Sequence, residues 1–294
     1  MTSELEQRLL EREPTTPMLT TWRRLARDQL ALLGMVVLAA IVLLAIAAPL
    51  VDRHDPVEIN PVNKLRGPDV EYLMGTDNLG RSIWARVVWG ARLTLGTATA
   101  AMVLLLLIGV VIGVVAGFYG GWVDDLIMRV VDILLAFPSL ILVLAIAGML
   151  GPSLVNVLIG IVAVGWATYA RVVRGMVLGI KEREYVEAAR ALGISPWHLA
   201  ERHILPNVIS PVVVLASLDM GNILLSIAAL SFLGLGAQAP APEWGRMLSD
   251  ARPFMQTAPH TMIFPGLAIF VSVMAFNLMG DGLRDALDPI GRRH

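Results

Sequence analysis

The sequence predicts an all-α membrane protein with six transmembrane helices and both termini in the cytoplasm, and three observations lead there. First, 56% of the 294 residues are apolar and 16% charged, with the charges gathered in short patches between long uncharged runs. Second, several runs reach the roughly 20 apolar residues a helix needs to cross a hydrocarbon core about 30 Å thick, where only internally bonded backbone is tolerated. Third, with those runs assigned as spans, 15 Lys and Arg fall on one side and 8 on the other. An excess of positive charge marks the cytoplasmic side.

Residues 1–29 read as a cytoplasmic segment in which Arg23, Arg24 and Arg27 beside Trp22 and Leu25 suggest a short interfacial helix. Span one is 30–51. Its Ala45-Ile46-Ala47 imitates a signal cleavage site, but the apolar run is longer than a signal core and 29 mostly polar residues precede it, which favours an uncleaved anchor. Residues 52–92, rich in Pro and Gly and too charged to cross, form an extracytoplasmic loop.

The membrane core follows over 93–280. Span two lies in the uncharged stretch Leu93–Val123, where the Gly-rich run Ile108–Gly117 should pack closely on a neighbour. Asp124, Asp125, Arg129 and Asp132 bring the chain back to the cytoplasm. The next charge is Arg171, too distant for one helix, and Gly151-Pro152-Ser153 breaks the stretch into a hairpin of spans three and four. Arg171 and Arg174 open a basic cytoplasmic segment whose centre is the loop 180–207. Span five runs from Val208 to Leu235, a polar Pro-rich loop extends through His260, span six runs from Thr261 to Gly280, and 281–294 is a cytoplasmic tail with Arg284, Arg292 and Arg293.

Composition excludes several activities. A net charge of −1 offers nothing to nucleic acid. Without cysteine there is no disulfide, thiolate metal site or thiol catalysis. Among five histidines only His198 and His203 lie close, and their spacing puts them on different sides of a helix, so no metal site built by this chain is expected. No Gly-x-x-x-x-Gly-Lys-Ser/Thr loop occurs, so the chain does not hydrolyse ATP. A nucleophile with its base, a His-Glu-x-x-His pair and paired intramembrane aspartates are likewise missing, which excludes an intramembrane enzyme.

The informative stretch is Glu184–Asn207. Tyr185, Ala188 or Ala189, and Leu192 recur at helical spacing opposite a charged face. Gly193 is a helix stop, Ser195 a cap, and Pro196 a favourable first residue of a second short helix. Trp197, Ala200 and Ile204 give that helix an apolar stripe, and Leu205-Pro206 ends it. A half-apolar helix, turn and helix projecting from a membrane bundle calls for a groove on another protein. The alternative is a solvated loop in which Glu187 pairs with Arg183 or Arg190.

Glu187-Ala188-Ala189, then Gly193, then Leu205-Pro206 resembles the EAA loop of ABC-importer permeases, with His203 where Ile is usual, as in the peptide-transporter branch. Further segments resemble the second, C-type permease of dipeptide, oligopeptide and nickel importers. These are Gly75–Arg81, Tyr119–Arg129, Leu135–Pro138, Leu230–Gly236, Glu243–Gly245 and Gly280–Pro289, and the similarity extends from about Trp22 to Pro289. The resemblance implies a type I ABC-importer-like core in a bacterial inner membrane. It implies a homologous second permease, two ATP-binding subunits that hold ATP and Mg, and an extracytoplasmic substrate-binding protein. Glu187, Ala188, Ala189, Gly193, Leu205 and Pro206 would then be the docking element for the ATPases, and this chain would bind no cofactor of its own.

Two further groups are candidates. Gly75, Asp77, Gly80 and Arg81 fall on the outer side, where turn chemistry explains them more simply than substrate contact. Asp219 is the one acid deep within a span, and with Asn222 and Ser226 it shares a helix face. Ionisable groups at that depth line a wet path or are held by hydrogen bonds, and both readings stand. Peptide-carrying members often have Glu at the position of Ile227, so the sequence leans toward nickel-type permeases. An ion-coupled secondary transporter is the competing class. It would require several buried ionisable groups and an internal repeat.

Overall fold

Asp28 opens the first membrane helix by accepting the Leu30 and Ala31 amides at 2.9 and 3.2 Å, the N-cap arrangement that satisfies otherwise bare donors. The computed structural model describes Leu25, residues 28–51 and residues 54–287. The expected interfacial helix around Trp22, Arg23, Arg24 and Arg27 lies almost wholly outside the described residues, as do Pro289, Arg292 and Arg293.

Among the described residues five helices are long and apolar enough to cross a bilayer: α1 (Gln29–Ile46), α2 (Ile83–Tyr119), α5 (Leu154–Lys181), α8 (Leu205–Phe232) and α10 (His260–Leu287). A pair of apolar helices, α3 (Gly121–Leu135) and α4 (Ser139–Leu150), bent by 88° where Pro138 interrupts the helical amides, makes a sixth candidate that is either a broken span or a re-entrant loop. Between α5 and α8 lie α6 (Glu184–Ala191), α7 (Pro196–Leu199) and a π turn, Ala200–Ile204; α9 (Trp244–Ala251) lies between α8 and α10.

Glycines set the helix seams, letting backbones approach where lipid supplies no hydrophobic drive. A Cβ at Gly109, Gly113 or Gly117 of α2 would stand 2.5–2.8 Å from Tyr169, Ala170 or Val177 of α5. Gly221 of α8 meets Val273 and Asn277 of α10, and Gly280 of α10 meets Leu218. Gly34 of α1 sits against Ala275 of α10, and Gly282 against Ala31. Lys181 at the end of α5 donates to the Gly117 and Phe118 carbonyls at 3.0 and 2.8 Å, capping the antiparallel α2.

Several expected boundaries shift, and each shift has a local cause. The loop 52–92 stops at Ser82, whose hydroxyl accepts the Ala85 amide and starts α2. Arg86 is buried within that helix, and Arg92 donates to the Ala45 and Ile46 carbonyls at the end of α1. Asp124, Asp125, Arg129 and Asp132, expected where the chain returns to the cytoplasm, lie on the helix α3. Arg171 and Arg174 likewise do not leave the bundle; they lie within α5 and pair with Asp132 and Asp124 of α3. Leu205-Pro206 does not end the hairpin's second arm, because the π turn runs directly into α8 with Pro206 in its first turn, where a missing amide is harmless. α10 continues through 281–287, the start of the expected tail.

Packing also fixes depth. Gly280 stands beside Leu218 and Gly282 beside Ala31, one turn inside α1. Asp219 therefore stands about level with Met279 of α10 and with Gly34 of α1, which packs on Met279, between the first turn of α1 and its middle.

Candidate functional site

Three groups of residues stand out. The first is the hairpin 184–207. α6 ends in a Schellman turn: Gly193 has φ +78° and the Ile194 amide reaches back to the Ala189 carbonyl at 3.2 Å. Val186, Ala189, Leu199 and Ile204 are buried against Val173, Val177 and Ile180 of α5 and Val208 and Val212 of α8. Ala189 and Ile204 belong to the expected apolar stripes, and the correction falls on Tyr185 and Leu192. Val186 and Leu199 face the bundle, whereas Tyr185 is 42% and Leu192 82% exposed, and Glu187 and Ala188 are exposed beside them. One face of α6 is clamped to two spans, and its other face presents apolar side chains to the outside. No ion pair joins Glu187 to Arg183 among the described residues.

The second group surrounds Asp219. Tyr169 of α5 donates its hydroxyl to Oδ2 at 2.9 Å, and Asn222 donates to Oδ1 at 3.0 Å. Ser226 is turned back to the Asn222 carbonyl at 2.8 Å. Asp219 and Asn222 also line a cavity of about 230 Å³ walled by α2, α4, α5 and α8, to which Ser139, Thr168, Tyr169 and Ser226 contribute. A neighbouring cavity of about 210 Å³ shares Thr168, Tyr169, Asp219 and Asn222. The carboxylate is thus both hydrogen-bonded and open to space. Tyr169 and Thr168 were invisible as partners in the sequence, since they lie some 50 residues away on an antiparallel helix, as the Tyr169 bond records. Ile227, next to the cavity-lining Ser226, is fully buried in the core.

The third group is the loop before α2. Asp77 accepts the Leu79 and Arg81 amides at 2.8 and 3.0 Å and pairs with Arg81 at 2.6 Å, while Gly75 and Gly80 both have φ +76°. A Cβ on Gly80 would strike the Asn60 carbonyl at 1.7 Å. Arg81 and Arg86 are 3% and 1% exposed, and Asp250 of α9 stands 3.8 Å from Arg81. These are structural clamps joining the loop to α9. The Glu243 carboxylate, fully buried, caps α9 by accepting the Gly245 and Arg246 amides at 2.9 and 2.8 Å. Burial pushes its pKa up from the ordinary value. Nearer the surface, backbone amides of Tyr72 and Glu71 hold the Asp69 carboxyl below the usual range. Among the described residues no three His, Asp or Glu side chains gather as metal ligands.

Residues 109–292 match the family described as binding-protein-dependent transport system inner membrane component. The chain belongs to this family. Residues 16–68 match the N-terminal transmembrane domain of oligopeptide transport permease C, a C-type assignment. The permease is 45% identical to the dipeptide transport system permease protein DppC of Alkalihalophilus pseudofirmus over 98% of this chain and 99% of that one. It is 41% identical to the glutathione transport system permease protein GsiD of Pectobacterium atrosepticum over 93% of this chain and 91% of that one. It is 44% identical to the nickel transport system permease protein NikC of Escherichia coli over 87% of this chain and 93% of that one. It is thus a multi-pass inner-membrane permease of a bacterial ABC importer in the dipeptide, glutathione and nickel branch, and its role is translocation rather than catalysis. Nothing in these similarities supports an ion-coupled carrier.

Proposed function

We propose that the permease forms one half of the translocation pathway and is driven through the hairpin 184–207. Both termini and the hairpin then face the cytoplasm, and the 54–82 loop faces the substrate-binding protein. Two ATP-binding subunits carry ATP and Mg, and a homologous second permease completes the pathway. The carrying observation is the two-sided hairpin: Val186, Ala189 and Ile204 are locked into α5 and α8, while Ala188 and Leu192 are exposed. A groove on an ATPase that takes up Ala188 and Leu192 would move α5 and α8 together.

In this reading Glu187, Ala188, Ala189, Gly193, Leu205 and Pro206 form the coupling element. Gly193 sets the turn, Ala189 anchors it, and Pro206 lies at the entry to α8. Displacing α5 and α8 changes the cavity around Asp219, Asn222 and Ser226, which is how ATPase closure would alternate access to it. Ion pairs from Arg171 and Arg174 carry the same motion to α3. The cargo is a small peptide, glutathione or a nickel chelate. Ile227 favours nickel, but identities of 45% and 44% to the dipeptide and nickel relatives separate neither.

Reconstitution of the permease with its partner chains in proteoliposomes tests this reading. ATP-dependent uptake of dialanine, glutathione or nickel-histidine is expected, and it should cease when the ATPase phosphate-loop lysine is replaced. Uptake persisting without ATP hydrolysis would refute it.

A further inference from the structure

We infer that the cavity wall formed by Asp219, Tyr169 and Asn222 receives a cationic group of the cargo: an ammonium or a divalent metal ion. This rests on the pathway reading and adds the chemistry of recognition. Its basis is an imbalance of charge. Asp219 is the only charged residue of α8. Its oxygens accept from two neutral donors, the Tyr169 hydroxyl and the Asn222 amide, at 2.9 and 3.0 Å.

The basic side chains nearest along α5, Arg171 and Arg174, are committed to Asp132 and Asp124. Those of α2, Arg86 and Arg92, sit in its first turns and bond Pro56, Ala45 and Ile46. No basic side chain pairs with Asp219 among the described residues. A carboxylate within a membrane bundle needs a compensating partner or a wet cavity. Here the cavities beside it, about 230 and 210 Å³, provide the space. Tyr169 and Asn222 fix the carboxylate's orientation without neutralising it, so its charge is turned toward whatever enters.

The orientation of the remaining polar groups fits the same role. Thr168, Asn222 and Ser139 line the wall beside the acid, and none of them carries a positive charge that would compete with the cargo. An anionic group entering this space would meet no cation; a cationic group would meet one fixed carboxylate. A low-dielectric cleft lined by one sign of charge raises the local concentration of counter-ions by about tenfold or more.

The chain has no cysteine, so Thr168→Cys supplies a unique thiol on the wall shared by both cavities. Membranes bearing the full importer are labelled with the trimethylammonium reagent MTSET and the sulfonate reagent MTSES. We expect the cationic reagent to react about tenfold faster, relative to the same pair on a free thiol. That preference should vanish in Thr168→Cys/Asp219→Asn and persist in Thr168→Cys/Asp219→Glu. Equal preference with and without Asp219, or no reaction with either reagent, overturns the inference. If the Asp219→Asn variant does not insert, the reagent ratio in the Asp219 background still decides, since a ratio equal to that of a free thiol overturns it.

Protection experiments then separate the two sources of positive charge. Slowing by dialanine but not by N-acetyl-dialanine assigns an ammonium group. Slowing by NiCl2 that is lost with Asp219→Asn assigns a metal ion. Protection by none of the three overturns the assignment to cargo. Labelling does not depend on transport, so charge-selective labelling in a chain that imports no cargo would remove the importer reading and leave the cation site.

Discussion

A graded series at Gly193 separates backbone conformation from side-chain contact at the turn of the hairpin. Gly193 lies at φ +78°, and a Cβ built there would meet no atom within 4 Å. Any effect of substitution is therefore conformational. An L-residue held in this region costs about 1–2 kcal/mol, Asn being better tolerated. That penalty corresponds to a roughly 5- to 30-fold shift away from the formed turn. Gly193→Asn should behave close to the parent and Gly193→Ala should be intermediate. Gly193→Pro cannot form the turn at all, because proline fixes φ near about −65°. The assay is the ratio of ATP hydrolysed to cargo imported in proteoliposomes, with insertion checked by size exclusion of a fluorescent fusion. Gly193→Pro is expected to insert normally and lose uptake while ATP hydrolysis continues. Normal uptake by the inserted Pro variant, or an Ala variant worse than Pro, would refute the reasoning.

Two other expectations concern the frame that holds the sites. Gly113→Ala would place a Cβ 2.6 Å from the Ala170 carbonyl and 2.7 Å from Val173 Cβ, whereas Gly96→Ala meets nothing within 4 Å. Thermal unfolding in detergent should show Gly113→Ala destabilised by about 1–3 kcal/mol, and Gly96→Ala neutral or stabilised by about 0.5–1 kcal/mol; equal midpoints would contradict the α2–α5 seam. Glu243→Ala should lose about 1 kcal/mol at neutral pH through the lost cap. Because burial raises the Glu243 pKa above its ordinary 4.5, the stability this group contributes is present below that value and declines as pH rises through the raised one. The difference in unfolding temperature between the parent and Glu243→Gln should therefore shift toward the Gln variant with rising pH, and a pH-independent difference would contradict the buried acid.

What the sequence conveyed well were features written in local chemistry. Long uncharged runs located the helices, Gly151-Pro152-Ser153 located the break before α5, and Gly193 located the hairpin turn at its observed positive φ. What it hid were pairings across distance. Arg86 and Arg92 read as loop residues, and Arg171 and Arg174 as the opening of a cytoplasmic segment, until their acceptors, Pro56, Ala45, Asp132 and Asp124, are brought beside them. On α6 the periodicity points correctly to Ala189 but also to Tyr185 and Leu192, which have the bulk of core residues, whereas the seam against α5 admits Val186 beside Ala189. Asp219 was found as an intramembrane acid. Its partner Tyr169 depended on how α5 packs against α8.

The claim that the exposed face of α6 is the surface driven by ATP can be tested in one cross-linking experiment. In this cysteine-free chain, Ala188→Cys carries benzophenone-maleimide on that face, and Val70→Cys, 98% exposed in the loop before α2, carries it at the opposite end of the bundle. Illumination of membranes bearing the assembled importer should give an adduct of the permease with an ATP-binding subunit from Ala188→Cys and none from Val70→Cys. Its yield should change on addition of ATP. An adduct with the ATP-binding subunit from Val70→Cys, or none from Ala188→Cys in a complex that still imports cargo, would contradict it.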